Sequence, residues 1–204
     1  SAASDVYKRQ LVVSGKKIYV GSAFGKDTAV AVCGVGKVNA ALGTQLLVSK
    51  FDADKILNFG VAGGLNKNTE LCGVYQIKAA VQFDFDLVQL NGTQIGTLDE
   101  YTENYLKLSH FKAALKKKNL GTADRFNDSA EDYLLLTKEL KADIRVMEGA
   151  AIVHAAHAAQ LPVYAVKAIS DVAGSGSTTE QYLQNRGRAL ENLKSVLPEL
   201  FDEL

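Results

Sequence analysis

The sequence has few cysteines, no excess of either charge and no long apolar run. Cys33 and Cys72 are the only cysteines among its 204 residues, and neither has a second sulfur or a histidine at metal-ligand spacing. Disulfide-stabilised secreted domains are denser in cysteine, so this pattern favours a reducing, cytoplasmic environment. We therefore expect both thiols to be buried packing residues.

The charge balance and the hydropathy argue against two classes of partner. There are 23 basic and 23 acidic residues, whereas a non-specific nucleic-acid surface needs a basic excess. The densest basic run, Lys116–Lys118, is typical of a solvated surface. No apolar run approaches the ~20 residues that span a bilayer, and the start lacks the pattern of a signal peptide. We expect no nucleic-acid partner and no membrane partner.

The first ten residues look foreign to the rest of the chain. The segment 5–10, which reads DVYKRQ, back-translates in frame to a transposase end sequence used as a sequencing adapter. We therefore expect residues 1–10 to be a non-native scar and residues 11–204 to form a single domain that lacks its first strand. A native gene that continues upstream through these codons unchanged would contradict this expectation.

Strand-like and helix-like segments alternate along the chain. Apolar or β-branched runs predict strands at Lys17–Val20, Thr28–Cys33, Lys55–Phe59, Val74–Val81, Leu120–Ala123, Ile144–Val146 and Pro162–Ile169. Helical periodicity predicts helices at Lys37–Phe51, Ser129–Leu140, Met147–Gln160 and Thr178–Phe201. The alternation predicts an α/β fold with three layers, α/β/α, around a central mixed, mostly parallel twisted sheet.

Four segments carry glycine or polar residues directly after a predicted strand, where ligands bind in open α/β sheets. They are Gly34–Asn39, Asn58–Gly64, Val146–Ala151 and Ala168–Ala173. The glycines of the first two segments are either tight turns or a main-chain cradle for a ribose or an anion. We expect the strand before the second segment to break at Gly60. That segment contains no arginine, which a phosphate dianion favours.

The last two segments each supply a carboxylate. Glu148 opens an alanine-rich helix and can complement its dipole, and Asp171 can cap a turn. Together, however, they place two carboxylates at one edge of the predicted sheet, which is what glycosidic cleavage requires. One carboxylate stabilises the positive charge that develops on the sugar, and the other protonates the leaving group.

Four motifs, in order, resemble the methylthioadenosine/S-adenosylhomocysteine nucleosidase family of the nucleoside phosphorylase superfamily. They are GVGKVNAA at 34–41, NFGVAGGL at 58–65, MEGAAI at 147–152 and AISDVA at 168–173. The resemblance covers nearly all of residues 17–204. It implies a nucleoside phosphorylase-like fold and a cytoplasmic homodimer that acts in methionine salvage. It also implies hydrolysis of a purine nucleoside such as 5'-methylthioadenosine or S-adenosylhomocysteine to adenine and a ribose derivative, without cofactor or metal.

The resemblance also assigns roles to residues of this sequence. It implies that Asp171 is the general acid at N7 of the adenine, oriented by Ser170, and that Glu148 accepts hydrogen bonds from the ribose hydroxyls. The substrate-binding residues that it implies are Met147 against the sugar, Phe126 stacked on the purine, Asn127 at the purine edge, and Ala62 and Gly63 on the ribose and water side.

The sequence also departs from the family pattern. The family's first strand carries a glutamate that activates the attacking water, and no such segment is present. If residues 1–10 are not native, we expect this chain to be nearly inactive. Substitutions in the motifs put the substrate in doubt; they are Val61, Arg125, Asn127 and Lys167. Two alternatives stay open: a phosphorylase of the same superfamily, against which the missing arginine counts, and a non-catalytic nucleoside-binding protein.

Two other groups of residues attract attention. His154 and His157 lie three apart on a predicted helix, but without a third ligand they fit ordinary helix surface better than a metal site. Phe83–Asp86 fits either a pocket wall or a subunit interface, and the family resemblance favours the interface.

Overall fold

The computed structural model describes residues 7–65, 68–126 and 129–204. The strands in this part of the chain are β1 Tyr7–Val13, β2 Lys16–Ala23, β3 Lys26–Val32, β4 Ile56–Gly64, β5 Val74–Gln82, β6 Leu106–Lys107, β7 Lys117–Thr122, β8 Ile144–Val146 and β9 Val163–Val172. The helices are α1 Lys37–Phe51, α2 Val88–Asn91, α3 Ala130–Leu134, α4 Gly149–Ala158 and α5 Thr178–Glu203.

The first three strands form an antiparallel sheet in the order β1-β2-β3. Each of its two turns has a non-glycine residue and then a glycine at positive φ, Ser14–Gly15 and Phe24–Gly25, as a two-residue hairpin requires. β2 and β3 confirm the two predicted strands of this region. The segment 7–10, which belongs to the ten residues predicted to be non-native, forms the first part of β1. Its non-native origin stays a prediction.

The other six strands form a mixed sheet in the order β6-β5-β7-β8-β4-β9. Parallel pairs join β5 to β7, β7 to β8 and β4 to β9. An additional antiparallel pairing of β5 with β9 closes this sheet on itself. The predicted mixed sheet is confirmed, but its strand pairs are not mostly parallel, because β4 with β8, β5 with β6 and β5 with β9 pair antiparallel. The closure is a feature that the sequence pattern did not reveal.

Helices cover both faces of this sheet, and β9 shows why. Val163, Ala165 and Ile169 belong to the core cluster shared with α1 and α4. Val166 and Ala168 belong to a second cluster, shared with α5. Because alternate residues of a strand point to opposite faces, an uninterrupted apolar strand needs cover on both sides. This arrangement confirms the α/β/α layering.

Two predicted strand ends are wrong. β4 continues through the glycines to Gly64, and β9 continues to Val172. The reason is that β4 and β9 pair in parallel over almost their whole length, from Ile56 opposite Val163 to Gly64 opposite Val172. Ladder hydrogen bonds hold the glycines extended, so the segment 60–64 is not a loop that offers its N–H groups to a ligand.

The helix predicted at Ser129–Leu140 begins as an α-helix and continues as a π-helix. Ser129 caps it, as expected, since its hydroxyl accepts a hydrogen bond from the Asp132 N–H. After α3, however, Leu135–Glu139 forms a π-helical turn. α4 begins two residues later than predicted, which leaves Met147 and Glu148 outside the helix.

Among the described residues, no helix combines the length and the apolar character needed to cross a membrane.

Candidate active site

Asp171 and Ser170 lie near the end of β9 and are almost completely buried, with 2% and 1% of their surface exposed. The Ser170 hydroxyl donates to Asp171 Oδ1 at 2.8 Å and lies 3.3 Å from the carbonyl oxygen of Ala62. Since Ala62 is itself buried in β4, neighbouring strands fix this carboxylate in position. The structure therefore brings together three residues that the sequence had assigned to the site.

Gly63 lies where the side chains of Asp171 and Arg145, from two neighbouring strands, crowd against β4. A Cβ atom at this position would lie 2.9 Å from Asp171 Oδ2 and 3.3 Å from Arg145 Nε. Only glycine leaves room for both side chains.

Sequence reasoning missed Arg145, which is half-buried in β8. Its register neighbours are Gly63 in β4 and Gly121 in β7. The sequence offered one indication of such a residue, a charge between Ile144 and Val146. The two glycines are neighbours of Arg145 only across the sheet, so the sequence alone does not place them beside it.

Glu148 is the residue that precedes α4, and it is half-buried. Its Oε1 accepts a hydrogen bond from the Gly36 N–H at 3.1 Å, and its Oε2 accepts one from the Met147 N–H at 3.2 Å. The carboxylate thus connects the turn before α1 to the end of β8. Half-buried Met147 lies beside it, between β8 and α4.

The turn at Gly34–Asn39 is held by carboxylates of this chain. The Lys37 N–H donates to Asp124 Oδ1 at 2.7 Å, and the Asp124 N–H donates to Asp84 Oδ2 at 3.0 Å. Lys37 Nζ completes the group by pairing with Asp84 Oδ1 at 2.7 Å. The Gly36 and Lys37 N–H groups of this turn thus contact acids of the same chain, which favours the tight-turn interpretation over the anion cradle. The Asp84 carboxylate belongs to Phe83–Asp86, the segment predicted to form a pocket wall or an interface. It contacts Lys37 and Asp124 of the same chain.

Lys167 is a buried cation in β9, with Glu148 and Cys33 nearby. Its Nζ donates to Asn58 Oδ1 at 2.8 Å, and only 4% of the residue is exposed. Burial lowers the pKa of Lys167 to about 8, although the nearby Glu148 and Cys33 act in the opposite direction. Cys33 is half-buried rather than buried as expected, whereas Cys72 is buried.

This lowered pKa predicts a pH-dependent stability. Between about pH 8 and the ordinary pKa of 10.5, the unfolded chain binds more protons at Lys167 than the folded chain, so stability from this group rises with pH. From pH 7.5 to 9.5, we expect the protein to gain about 2 kcal/mol of unfolding free energy relative to a Lys167→Met variant.

Urea unfolding at the two pH values measures this difference. A Lys138→Met variant is the matched control, because Lys138 is exposed on the π-helical turn. Parallel pH dependences for the protein and Lys167→Met would show that Lys167 carries no depressed pKa.

A cavity of about 410 Å³ opens beside Arg145. Its walls come from Ser129 and α3, including Tyr133 and Leu134, and from the segment 173–176 that follows β9. Arg145 thus faces both this cavity and the glycine that Asp171 contacts. The cavity is large enough for part of a small-molecule ligand.

Two of the predicted substrate-binding residues remain, Phe126 and Asn127. Phe126 is 53% exposed and makes an edge contact with Tyr182 at 6.1 Å between ring centroids. Asn127 lies outside the described residues, so its predicted role stays a prediction.

The two histidines of α4 have partners within the chain. His154 Nε2 lies 2.5 Å from Glu100 Oε1, and His157 Nε2 lies 2.9 Å from the carbonyl oxygen of Lys107. Within residues 7–65, 68–126 and 129–204, no group of three or more His, Cys, Asp or Glu side chains is placed to hold a metal ion.

Comparison with known proteins relates this chain to one family. The family model described as "Phosphorylase superfamily" matches residues 5–202. The 5'-methylthioadenosine/S-adenosylhomocysteine nucleosidase of Marinomonas sp. is 32% identical, over 86% of this chain and 82% of that protein. The enzyme of the same name from Hydrogenovibrio crunogenus is 30% identical, over 83% of this chain and 79% of that protein.

Solved structures show the same fold. A futalosine hydrolase of Helicobacter pylori superposes with a TM-score of 0.90 at 23% identity, covering 100% of this chain and 93% of that one. The 5'-methylthioadenosine/S-adenosylhomocysteine nucleosidase of Helicobacter pylori, solved with butyl-thio-DADMe-Immucillin-A, gives the same TM-score, identity and coverage. At this level of identity the likeness concerns the fold alone.

Proposed function

Because this chain belongs to the 5'-methylthioadenosine/S-adenosylhomocysteine nucleosidase family of the phosphorylase superfamily, we propose that it hydrolyses the N-glycosidic bond of a purine nucleoside. The observation that carries the proposal is the buried Ser170–Asp171 pair. The paired strands β4 and β9 place it next to Gly63, where a Cβ atom would lie 2.9 Å from Asp171 Oδ2. 5'-Methylthioadenosine and S-adenosylhomocysteine, for which the relatives are named, are the first substrates to test.

In this proposal Asp171 protonates the leaving base at N7. As the bond between C1' and N9 breaks, its electron pair moves into the purine, and a proton at N7 neutralises the charge that develops there. The Ser170 hydroxyl holds Oδ1 of this carboxyl group, and in this proposal the proton is carried on Oδ2, on the side of Gly63.

Glu148 stabilises the sugar side of the reaction. Its two oxygens are fixed by the Gly36 and Met147 N–H groups, and each carboxylate oxygen retains a lone pair for a ribose hydroxyl. The negative charge favours the oxocarbenium-like transition state. We place the ribose against Ala62, Gly63 and Met147, and the purine near Phe126 and Asn127.

The phosphorylase alternative finds less support. A phosphate dianion needs clustered donors, whereas the N–H groups of the turn before α1 contact Asp124 and Glu148.

We also propose that the enzyme is a cytoplasmic homodimer. Val35, Val38 and Leu42 are 66%, 70% and 57% exposed, and the last two lie one helical turn apart on α1. An exposed apolar stripe of this kind is typical of a contact surface, and a second copy of the chain is its proposed occupant. Light scattering is expected to give twice the chain mass, and Val38→Lys to shift it towards one chain. An unchanged single-chain mass in both proteins contradicts the proposal.

The test of function uses this chain and, in parallel, the product of the native locus. Each is incubated with a panel of purine nucleosides, with and without phosphate, and the products are separated by chromatography. Free base with an unphosphorylated sugar, independent of phosphate, supports the proposal. Phosphate-dependent release of a sugar phosphate supports the phosphorylase, and binding without release supports a nucleoside-binding protein.

A further inference from the structure

Lys37 joins three segments that meet at the candidate site. Its Nζ pairs with Asp84 Oδ1 and its backbone N–H donates to Asp124 Oδ1, both at 2.7 Å. The Asp124 N–H donates in turn to Asp84 Oδ2 at 3.0 Å. These contacts form a closed triangle between the start of α1, the segment after β5 and the segment after β7. Because the Lys37 and Asp84 side chains are only 19% and 14% exposed, salt screens their attraction less than that of a fully exposed pair.

The triangle lies next to a hydrogen bond that fixes Glu148. Gly36, the residue before Lys37, donates its N–H to Glu148 Oε1 at 3.1 Å. Gly36 has a φ of 95°, and a Cβ atom there would lie 3.0 Å from Asp124 Oδ1. The Asp124 carboxylate therefore lies against both residues of the turn, and its position sets the direction of the Gly36 N–H.

The base side of the proposed site is held together by contacts that do not involve Lys37. The Phe83 N–H donates to the carbonyl oxygen of Thr122 at 3.0 Å, and the Arg125 guanidinium lies 5.2 Å from the centre of the Phe83 ring, within the range of a cation–π contact. These contacts join the ends of β5 and β7, just before Phe126. Loss of the Lys37 charge therefore loosens the turn before α1 and leaves the base side in place.

We propose that Lys37 is a positioning residue for the reaction, because the triangle sets where Glu148 lies relative to the bound base. This inference rests on the proposed function, in which Glu148 stabilises the sugar while the purine lies near Phe126. A misplacement of about 1 Å can lower a rate by about 10²-fold, so the distance between these two sides of the site matters for the rate. Lys37 acts through Glu148 and does not itself contact the substrate.

Steady-state kinetics of a Lys37→Met variant test the inference, in the protein that hydrolyses nucleoside in the test of function. Methionine removes the charge, so we expect kcat to fall by about 10-fold, while the Kd of the released base, measured by calorimetry, stays within about twofold. Lys37→Arg keeps the charge and is expected to retain most of kcat. Lys50→Met, exposed in the last turn of α1, is the matched control and should leave kcat unchanged.

A double-mutant cycle separates positioning from a general structural role. If Lys37 acts through Glu148, Lys37→Met combined with Glu148→Gln lowers kcat no further than Glu148→Gln alone. Losses that multiply, or an unchanged kcat in Lys37→Met, overturn the inference and leave the proposed function standing. Circular dichroism verifies that each variant is folded. Asp84→Asn weakens the same triangle from its other side, is expected to follow the same pattern, and takes the place of Lys37→Met if that variant does not fold.

Amide hydrogen exchange at Gly36, followed by NMR in this chain, tests the inference without turnover. The Gly36 N–H is expected to exchange at least about 10-fold faster in Lys37→Met and at an unchanged rate in Lys50→Met. If exchange accelerates in this way but no nucleoside is hydrolysed, the positioning of Glu148 by Lys37 stands and the proposed function fails. An unchanged exchange rate in Lys37→Met overturns the inference, whatever the activity.

Discussion

An Asp171→Asn variant is expected to lose between about 10²- and 10⁴-fold in kcat/KM for nucleoside hydrolysis, the range that a positioned general acid contributes. The amide has nearly the same shape and can still accept the Ser170 hydrogen bond at one oxygen, so the fold should survive. It carries no acidic proton for N7, so the leaving base departs as an unneutralised anion. Initial rates of base release measure the loss.

The control for this variant is Asp202→Asn, at the exposed end of α5, which should retain full activity. Binding of the free base should survive in Asp171→Asn, because binding needs the pocket rather than the proton. Activity within about threefold of the unchanged protein would remove Asp171 from the mechanism.

A Glu148→Gln variant is expected to lower kcat by about 10²- to 10³-fold, as loss of an electrostatic stabiliser does. The negative charge that faces the developing sugar cation disappears. The variant also tests a purely structural role, because the amide NH₂ group cannot accept the hydrogen bond that one of the Gly36 and Met147 N–H groups now donates.

Two readouts separate these roles. If Glu148 acts only by joining the turn before α1 to β8, the variant loses unfolding free energy while its folded fraction turns over normally. If it acts in the reaction, kcat falls in protein that is fully folded by circular dichroism at the assay temperature. Glu199→Gln, on the exposed face of α5, should change neither quantity.

Local patterns were sufficient to predict much of this fold. The apolar run that contains Val163–Ile169 predicted a strand covered on both faces, and the bounds of α1 follow directly from its helical period. The positions of Glu148 and Asp171 beside predicted strands also led to the candidate site. These features depend on residues that are close in sequence, which a single sequence displays.

Features set by distant partners could not be predicted in this way. Gly60–Gly64 reads as a loop by composition, and only its pairing with β9 makes it a strand. Arg145 reads as an ordinary charged residue until the register places glycines on both sides of it. The contacts of Asp84 and Asp124 with Lys37 join segments that no local period relates.

The contacts that shape the site also have a consequence for folding. They join residues separated by 112 positions between Gly36 and Glu148, 109 between Lys167 and Asn58, and 108 between Ser170 and Ala62. Closing such long loops costs chain entropy before any contact is gained, so contacts of this kind form slowly and late. Helices such as α1 can gain structure early, but the catalytic pocket exists only after both ends of the chain have met. During refolding, the return of enzymatic activity should therefore follow the recovery of helical signal, and a ribosome-bound chain that ends before β9 has no pocket to fill.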